Sequence, residues 1–237
     1  MRATNWEFQN RATVFGMIFG FSFPLYAIDH QNATAALANW LAPKIPMDAD
    51  LLARLIFFAA AALLTIAVLV RVWASAYLQA DIVYAKELKS DALVADGPYR
   101  RVRNPLYFAN VLMAVGMASM MSRAGGALAV AAMTIFCYRL IFREESELRA
   151  SQGESYERYC RAVPRLFPSP WPRVPPAGRA ARWAAGFKAE SWYWGFPLSV
   201  AAFAITFKLW VFFVVFGAGL GLFWILTSAL QKHFTSK

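Results

Sequence analysis

Two polar clusters, each beside a strongly apolar segment, carry the residues most suited to chemistry. The first runs from Gly97 to Tyr107 with the sequence GPYRRVRNPLY. The second begins with REESEL at Arg143 and ends with VPRLFP at 163–168. Charged side chains are costly to keep at the ends of membrane spans, so these clusters indicate a functional site and not only a boundary.

The side chains in these clusters could bind charges of both signs and an aromatic ring. Glu144 and Glu145 supply carboxylates, which bind ammonium groups. Guanidinium groups bind carboxylate or phosphate in bidentate fashion, and tyrosines supply ring faces and hydroxyls. A zwitterionic amino acid joined to a purine nucleoside would use all three. The arginines are Arg100, Arg101, Arg103 and Arg165, and the tyrosines are Tyr99, Tyr107, Tyr156 and Tyr159.

The composition is that of a membrane protein. Of the 237 residues, 59% are hydrophobic and only 16% are charged, whereas about a quarter of a soluble domain is charged. The net charge of +10 comes from basic residues in loops between apolar runs, which favours an anionic lipid surface over nucleic acid. Two cysteines and two histidines without a ligand motif predict no metal site.

The apolar runs predict an all-α, polytopic membrane helix bundle with about six transmembrane helices, five being the alternative. The third and fourth spans form a tight antiparallel hairpin over 105–142, which brings both polar clusters to one side. The run 191–230 exceeds one crossing of about 30 Å; it is two spans turning near Lys208, or one long helix with an interfacial extension. The other predicted spans are 12–28, 51–73, 105–121 and 124–142.

This plan divides the chain into three regions. Residues 1–76 hold two spans, 77–170 hold the core with its hairpin, and 171–237 hold a linker and a C-terminal hairpin. Basic residues concentrate on the side of the two termini and the two polar clusters. By the positive-inside rule, that side is expected to be cytoplasmic.

The connections between spans are expected to differ in structure. Residues 29–50 are predicted to be an exposed connection, and 77–90 an interfacial helix. In the arginine-rich connection 143–190, good helix formers predict a helix over 144–160. The prolines forbid regular structure over 164–176.

Three arginines belong to predicted spans. Arg54 and Arg71 bracket the apolar centre of the second span and are expected to snorkel to opposite interfaces. For Arg139, in the fourth span, snorkelling and a ligand contact are both open. Glu7 and Arg11 precede the first apolar run, so we expect no cleaved signal peptide there.

The two clusters resemble one known family. The residues Gly97-Pro98-Tyr99, Arg103-Asn104-Pro105-Leu106-Tyr107, Glu144-Glu145, Tyr156, Tyr159 and Val163-Pro164 are similar to those of the isoprenylcysteine carboxyl methyltransferase superfamily. That superfamily also includes the membrane phospholipid N-methyltransferases. The resemblance covers residues 77–170 and implies S-adenosylmethionine as methyl donor. It implies a cytoplasmic pocket built from loops and helix ends, without a Rossmann domain.

The resemblance also implies roles for individual residues. Glu144 or Glu145 would receive the ammonium group of the cofactor, and Glu145, Arg165 and Arg161 would be catalytic. Family members usually carry His at the position of Asn104, and Asn cannot titrate near neutrality, which favours orienting the cofactor over acting as a base. The cofactor-binding residues would be Tyr99, Arg103, Asn104, Pro105, Tyr107, Glu144, Glu145, Tyr156 and Tyr159.

The methyl acceptor is expected to be lipophilic and to enter from the bilayer. Prenylcysteine-type members carry a basic residue before Val-Pro, where this chain has Ala162 flanked by Arg161 and Arg165. The leading expectation is O-methylation of an isoprenylcysteine-like or other lipid carboxylate, which needs no base. The alternatives are N-methylation of a phospholipid amine, with Glu145 or a tyrosine taking the proton, and a non-catalytic membrane scaffold.

Overall fold

The computed structural model describes residues 2–78 and 95–235, and their secondary structure is helical. An isolated antiparallel bridge joins Asn32 to Ser122. The helices are α1 (Asn5–Gln9), α2 (Arg11–Ser22), α3 (Ala33–Leu41), α4 (Ala49–Tyr77), α5 (Pro105–Ala118), α6 (Arg123–Ala162), α7 (Trp183–Glu190), α8 (Gly195–Thr206) and α9 (Leu209–Thr235). Short 3₁₀ helices lie at Phe23–Ala27, Gly97–Arg100 and Ser191–Trp194.

Helix α4 is the centre of the fold. It packs against α3, α5, α7 and α8, while α6 packs against α5 and α2. Leu64, Ala67 and Val68 of α4 are fully buried. A Cβ on Gly116 of α5 would lie only 2.6 Å from Leu64 Cγ, so the absence of a side chain there lets α4 and α5 approach closely.

Two of the described helices, α4 and α6, are long and apolar enough to cross a membrane. The prediction of six spans is not confirmed. Helix α5 has 14 residues and is about 21 Å long, which is short of a hydrocarbon layer of about 30 Å. Residues Leu209–Gly221 are likewise a shorter apolar helix.

The turn between α5 and α6 is held by the segment that follows α2. The side-chain amide of Asn32 donates to the carbonyl oxygens of Ser119 and Met121, at 3.1 and 3.2 Å. Asp29 pairs with Arg123 at 3.0 Å. The predicted connection over 29–50 is exposed at many of its residues, but it also holds the turn and contains α3, which the prediction did not include.

Other predictions for the connections have mixed outcomes. The prolines of 164–176 do keep that segment irregular. The predicted break near Lys208 is confirmed, since Phe207 ends α8 in the left-handed conformation with φ 51°. The predicted helix over 144–160 is part of α6. The predicted interfacial helix over 77–90 lies almost wholly outside the described residues.

Both arginines of α4 have hydrogen-bond partners within the fold. Arg71 is 4% exposed, and its Nε lies 2.6 Å from Glu190 Oε2. Arg54 Nη1 donates to the last carbonyl oxygens of α8, those of Ala204 and Ile205. Both guanidinium groups find partners in the C-terminal third of the chain. The burial of Arg71 does not fit snorkelling, whereas for Arg54 snorkelling stays a prediction.

Candidate functional site

The helical hairpin joins the two polar clusters at one end. Pro105 occupies the first turn of α5, where its missing N–H removes no helical hydrogen bond. One turn further on, the buried Tyr107 hydroxyl donates to Glu144 Oε1 of α6 at 2.5 Å. Residues 37 positions apart therefore meet directly, as the hairpin predicted from the sequence requires.

Glu145 lies inside a group of three arginines. Its carboxylate is fully buried and lies 3.1 Å from Arg103 Nη1 and 3.0 Å from Arg165 Nη2. Arg149, one turn along α6, is 3.5 Å away. Buried charges persist only when they are paired, so Glu145 has its charge compensated by residues of both clusters. We call Glu145 with these three residues the arginine cage.

Backbone hydrogen bonds fix the first cluster against the second. The Arg103 N–H donates to Pro164 O, and the Asn104 side-chain amide donates to Arg165 O, both at 2.9 Å. Further along, the Ser169 N–H donates to Arg101 O at 2.9 Å. In this structure the amide of Asn104 thus ties the two clusters together.

Helix α6 folds back at Gly153. This glycine has φ 55° and ψ −131°, a conformation open essentially to glycine alone. Arg149 Nε lies 2.8 Å from Glu157 Oε1, although residues eight apart on a straight helix are about 12 Å apart. The fold-back brings the last turns of α6 close to the arginine cage. In the sequence, only the glycine inside a predicted helix indicates it.

The returning turns carry Tyr156 and Tyr159 to the site. Both rings are buried and lie 5.9 Å apart. The Tyr159 hydroxyl donates to Tyr99 O at 2.7 Å, which closes the first cluster against the end of α6. Burial raises the pKa of Tyr99, Tyr156 and Tyr159 above the ordinary value. These tyrosines therefore remain neutral and are not suited to act as bases near neutrality.

Glu144 has very different surroundings from Glu145. Helix α6 runs about 45 Å from Arg123 to the fold-back at Gly153, and Glu144 follows the predicted crossing at 124–142. Burial raises the pKa of Glu144 to about 7, and this rise is opposed by the hydrogen bond from Tyr107 and the charge of Arg11. An acid with such a pKa can change charge near neutrality.

The N-terminal segment also reaches this site, which the sequence did not predict. Phe8 of α1 is 2% exposed and packs in one apolar cluster with Tyr107 and Leu166. The guanidinium groups of Arg11 and Arg143 lie 4.6 and 4.7 Å from its ring centroid. Arg11, the first residue of α2, thus places a cation near Glu144. No motif in residues 2–11 points to this role.

Arg139 and Arg161 lie apart from these contacts. Arg139 Nη2 donates to both carboxylate oxygens of Glu7, at 2.9 and 2.7 Å, so it anchors α1 and this pair favours a structural role over a ligand contact. Arg161 is exposed in the last turn of α6 and makes no ion pair with Glu145. Of the three residues predicted to be catalytic, the structure brings together Glu145 and Arg165.

The arrangement fits a ligand with both charges and a ring. The Arg103 side chain is 9% exposed; its Nη1 is ion-paired with Glu145, while its Nε has no hydrogen-bond partner among the described residues. Unsatisfied buried guanidinium atoms favour an added acceptor such as a carboxylate. Glu144 is available for an ammonium group, and the tyrosine rings supply apolar walls. These residues therefore fit S-adenosylmethionine.

Comparisons with known proteins agree with the sequence motifs. The phospholipid methyltransferase family model matches residues 55–154, from α4 through Glu145 to just past the fold-back. Across residues 2–78 and 95–235, no group of three or more His, Cys, Asp or Glu side chains could hold a metal ion.

Two curated relatives match part of the chain. The nickel-cobalt-cadmium resistance protein NccN of Alcaligenes xylosoxydans xylosoxydans is 31% identical over 104 residues, which are 44% of this chain and 46% of the relative. The cobalt-zinc-cadmium resistance protein CzcN of Cupriavidus metallidurans is 29% identical over 98 residues, which are 41% of this chain and 42% of the relative. The chain spans less than half the length of these relatives, and no solved structure matches it.

The family match and the hairpin that joins Tyr107 to Glu144 lead to the same assignment. Residues 55–154 of this chain match the phospholipid methyltransferase family, which is part of the isoprenylcysteine and phospholipid methyltransferase superfamily.

Proposed function

We propose that this chain is a multi-pass membrane methyltransferase that uses S-adenosylmethionine and acts on a lipophilic acceptor. The observation that carries the proposal is the contact between Tyr107 and Glu144 beside the arginine cage. It makes one site from two clusters that are remote in the chain. S-adenosylmethionine, when bound, supplies an activated sulfonium methyl group. The protein then has to position the reactants and exclude water.

In this proposal, Glu144 and not Glu145 binds the ammonium group of the cofactor. The charge of Glu145 is already matched by three arginines, and a carboxylate in that state gains little from a further cation. Among the described residues, the side chain of Glu144 accepts one hydrogen bond, from Tyr107. Arg103 binds the carboxylate of the cofactor through its unsatisfied Nε. The rings of Tyr99, Tyr156 and Tyr159 enclose the site.

The acceptor is proposed to be an acidic lipid that is methylated on oxygen. The arginine cage has three cations for one buried anion, and Arg149 alone has a second acid, Glu157, at 2.8 Å. Arg165 remains 35% exposed, with its guanidinium 5.0 Å from the Phe142 ring. It is therefore placed to bind an acceptor carboxylate, which is ionised at pH 7 and needs no base.

A second candidate is N-methylation of a phospholipid amine. This reaction needs a group that takes a proton near neutrality, and the pKa of Glu144 is about 7, as a general base requires. Glu144 would replace Glu145 and the tyrosines as the expected base. The phosphate of the head group would then bind Arg165.

We further propose that the site and both termini face the cytoplasm, on the basis of the basic residues on that side. The names of the two relatives concern resistance to nickel, cobalt, zinc and cadmium. A role in metal resistance for this chain rests on those names alone. Methyl transfer rests on the family match and on the geometry of the site.

The test is transfer of a labelled methyl group. The full chain in detergent is incubated with S-adenosylmethionine labelled on the methyl group and with a total lipid extract, and label is counted in the organic phase. Base-labile label indicates an ester, and base-stable label indicates an N-methyl product. The Glu144→Gln variant should lose transfer, while Glu154→Gln, which changes an exposed acid, should retain it. Wild-type protein that neither transfers label nor binds the cofactor would refute the proposal.

A further inference from the structure

A second buried polar group lies between helices α4, α5 and α7. Glu190, the last residue of α7, is fully buried, and Arg71 of α4 is 4% exposed. Arg71 Nε lies 2.6 Å from Glu190 Oε2, and the Ser75 hydroxyl donates to Glu190 Oε1, also at 2.6 Å. The Tyr193 ring centroid lies 3.9 Å from the Arg71 guanidinium carbon. The pair is thus enclosed on several sides.

This ion pair is attached to the helix that carries Tyr107. Arg71 Nη1 donates to the side-chain oxygen of Asn110 at 2.6 Å, and Asn110 is 8% exposed. Asn110 follows Tyr107 by three residues on α5, so both lie on neighbouring parts of one helix face. Glu190, Arg71 and Asn110 therefore form a continuous link from α7 to the helix whose other polar contact is with Glu144.

The energetics of such a pair favour a role beyond stability. A buried ion pair often stabilises a fold no more than apolar residues of similar volume would, and ionisable residues within membrane helices are rare outside functional sites. The link also approaches the site itself. Tyr99 is buried, and after burial and Tyr159, the charges of Glu144 and Glu190 both raise its pKa. Tyr99 is therefore close enough to both polar groups for their charges to act on its hydroxyl.

We infer that Glu190 is a positioning residue of the methyltransferase site: through Arg71 and Asn110 it fixes the rotation of α5 and so the placement of Tyr107 relative to Glu144. Glu190 lies outside residues 55–154, which match the family. The C-terminal third of the chain thus contributes to the site without touching the cofactor. This inference rests on the proposed function, since it concerns the geometry of the cofactor site.

The test measures cofactor affinity and stability separately. Binding of S-adenosylhomocysteine, the demethylated cofactor, to the full chain in detergent is measured by titration calorimetry, and unfolding temperature by intrinsic fluorescence. Glu190→Gln removes the charge that holds Arg71, and Asn110→Ala breaks the link to α5 while leaving the ion pair intact. We expect Kd to rise about tenfold in Glu190→Gln and less in Asn110→Ala. Glu154→Gln is the matched control and should not change Kd.

Two further variants test the inference. Glu190→Asp keeps the charge and should recover part of the affinity lost in Glu190→Gln. If Glu190→Gln does not fold, the Kd of Asn110→Ala tests the inference by itself. Variants that unfold at lower temperature but bind with wild-type Kd would assign the network a structural role only and overturn the inference. A wild-type chain that does not bind would instead refute the proposed function, on which the inference depends.

Discussion

Glu144 and Glu145 are consecutive residues with opposite surroundings. Glu145 faces Arg103, Arg149 and Arg165, and its charge is fully matched. Glu144 faces Tyr107 and the N-terminal segment, where burial raises the pKa of its carboxyl to about 7. Successive side chains of a helix point about 100° apart, so two adjacent acids can serve two different regions.

The difference indicates a structural role for Glu145 and a ligand-binding role for Glu144. A fully compensated carboxylate holds other groups in place and is costly to remove, whereas an incompletely compensated one is available to a ligand. The cage side is assembled from the first cluster, the fold-back and the proline-rich segment. The Glu144 side is assembled from α5 and α1. Substitutions on the two sides should therefore have different consequences, which can be ranked.

The largest effect is expected for Glu145→Gln. Removing one partner of a buried ion pair costs about 3–5 kcal/mol, and here three guanidinium groups would be left facing one another. Thermal unfolding in detergent should show a large loss of stability. Glu147→Gln is the matched control, since Glu147 is 37% exposed and pairs with Arg143, an interaction worth less than about 1 kcal/mol. Equal unfolding temperatures for both variants would remove the contrast between the two acids.

Gly153→Ala should destabilise the protein less than Glu145→Gln does. Its effect should be confined to the arginine cage and the tyrosines beside it. Forcing a side chain into a glycine conformation costs about 1–3 kcal/mol, and opening the fold-back would withdraw Tyr156 and Tyr159. We expect weaker cofactor binding together with lower stability, both measured on the same detergent sample. Gly16→Ala is the control, because Gly16 has no positive φ and no atom near its missing Cβ. A Gly153→Ala protein with wild-type affinity would show that the returning tyrosines are dispensable.

Glu144→Gln should leave the fold intact and weaken cofactor binding about tenfold. The Gln side chain can still accept the Tyr107 hydrogen bond, while the charge that binds an ammonium group is lost. Calorimetry with S-adenosylhomocysteine measures the effect. This result, beside a destabilised Glu145→Gln, would establish the contrast directly. Unchanged affinity would instead show that Glu144 does not bind the ammonium group.

The smallest effect is the pH dependence that Glu144 confers. Its folded pKa of about 7 exceeds the ordinary 4.5, so its contribution to stability is fully present below 4.5 and is lost as the pH rises through about 7. Binding of an ammonium group needs the ionised form. We expect cofactor affinity to increase about fivefold between pH 6 and pH 7, where the α-amino group is still protonated. The Glu144→Gln variant should lack this increase, and an equal slope in both proteins would contradict the assignment.

The features predicted correctly from the sequence are encoded in contiguous residues. The hairpin over 105–142 follows from two apolar runs and a short turn, and it determines that Tyr107 meets Glu144. Pro105 at a helix start and the break near Lys208 are also local signals. The proline-rich segment is irregular for the same local reason.

The features that were missed depend on contacts between distant residues. Arg71 and Glu190 are 119 residues apart, and an arginine near a helix end looks the same in sequence whether it is paired or snorkels. Phe8 and Arg11 belong to a segment without a motif. An isolated Gly153 in a run of good helix formers indicates a weak point but not a reversal of direction. The prediction of six spans stays unconfirmed, because an apolar run does not reveal where a helix ends.

The restraint at the turn between α5 and α6 also determines how this hairpin can move. Asn32 and Asp29 fix the turn through four hydrogen-bond acceptors or donors of residues 119–124, whereas the opposite end is joined through Tyr107 and Glu144. Two helices that are restrained at their connecting turn can move apart most at the opposite end. Relative motion of α5 and α6 is therefore expected to be largest at the proposed site of methyl transfer, with the restrained turn as its pivot.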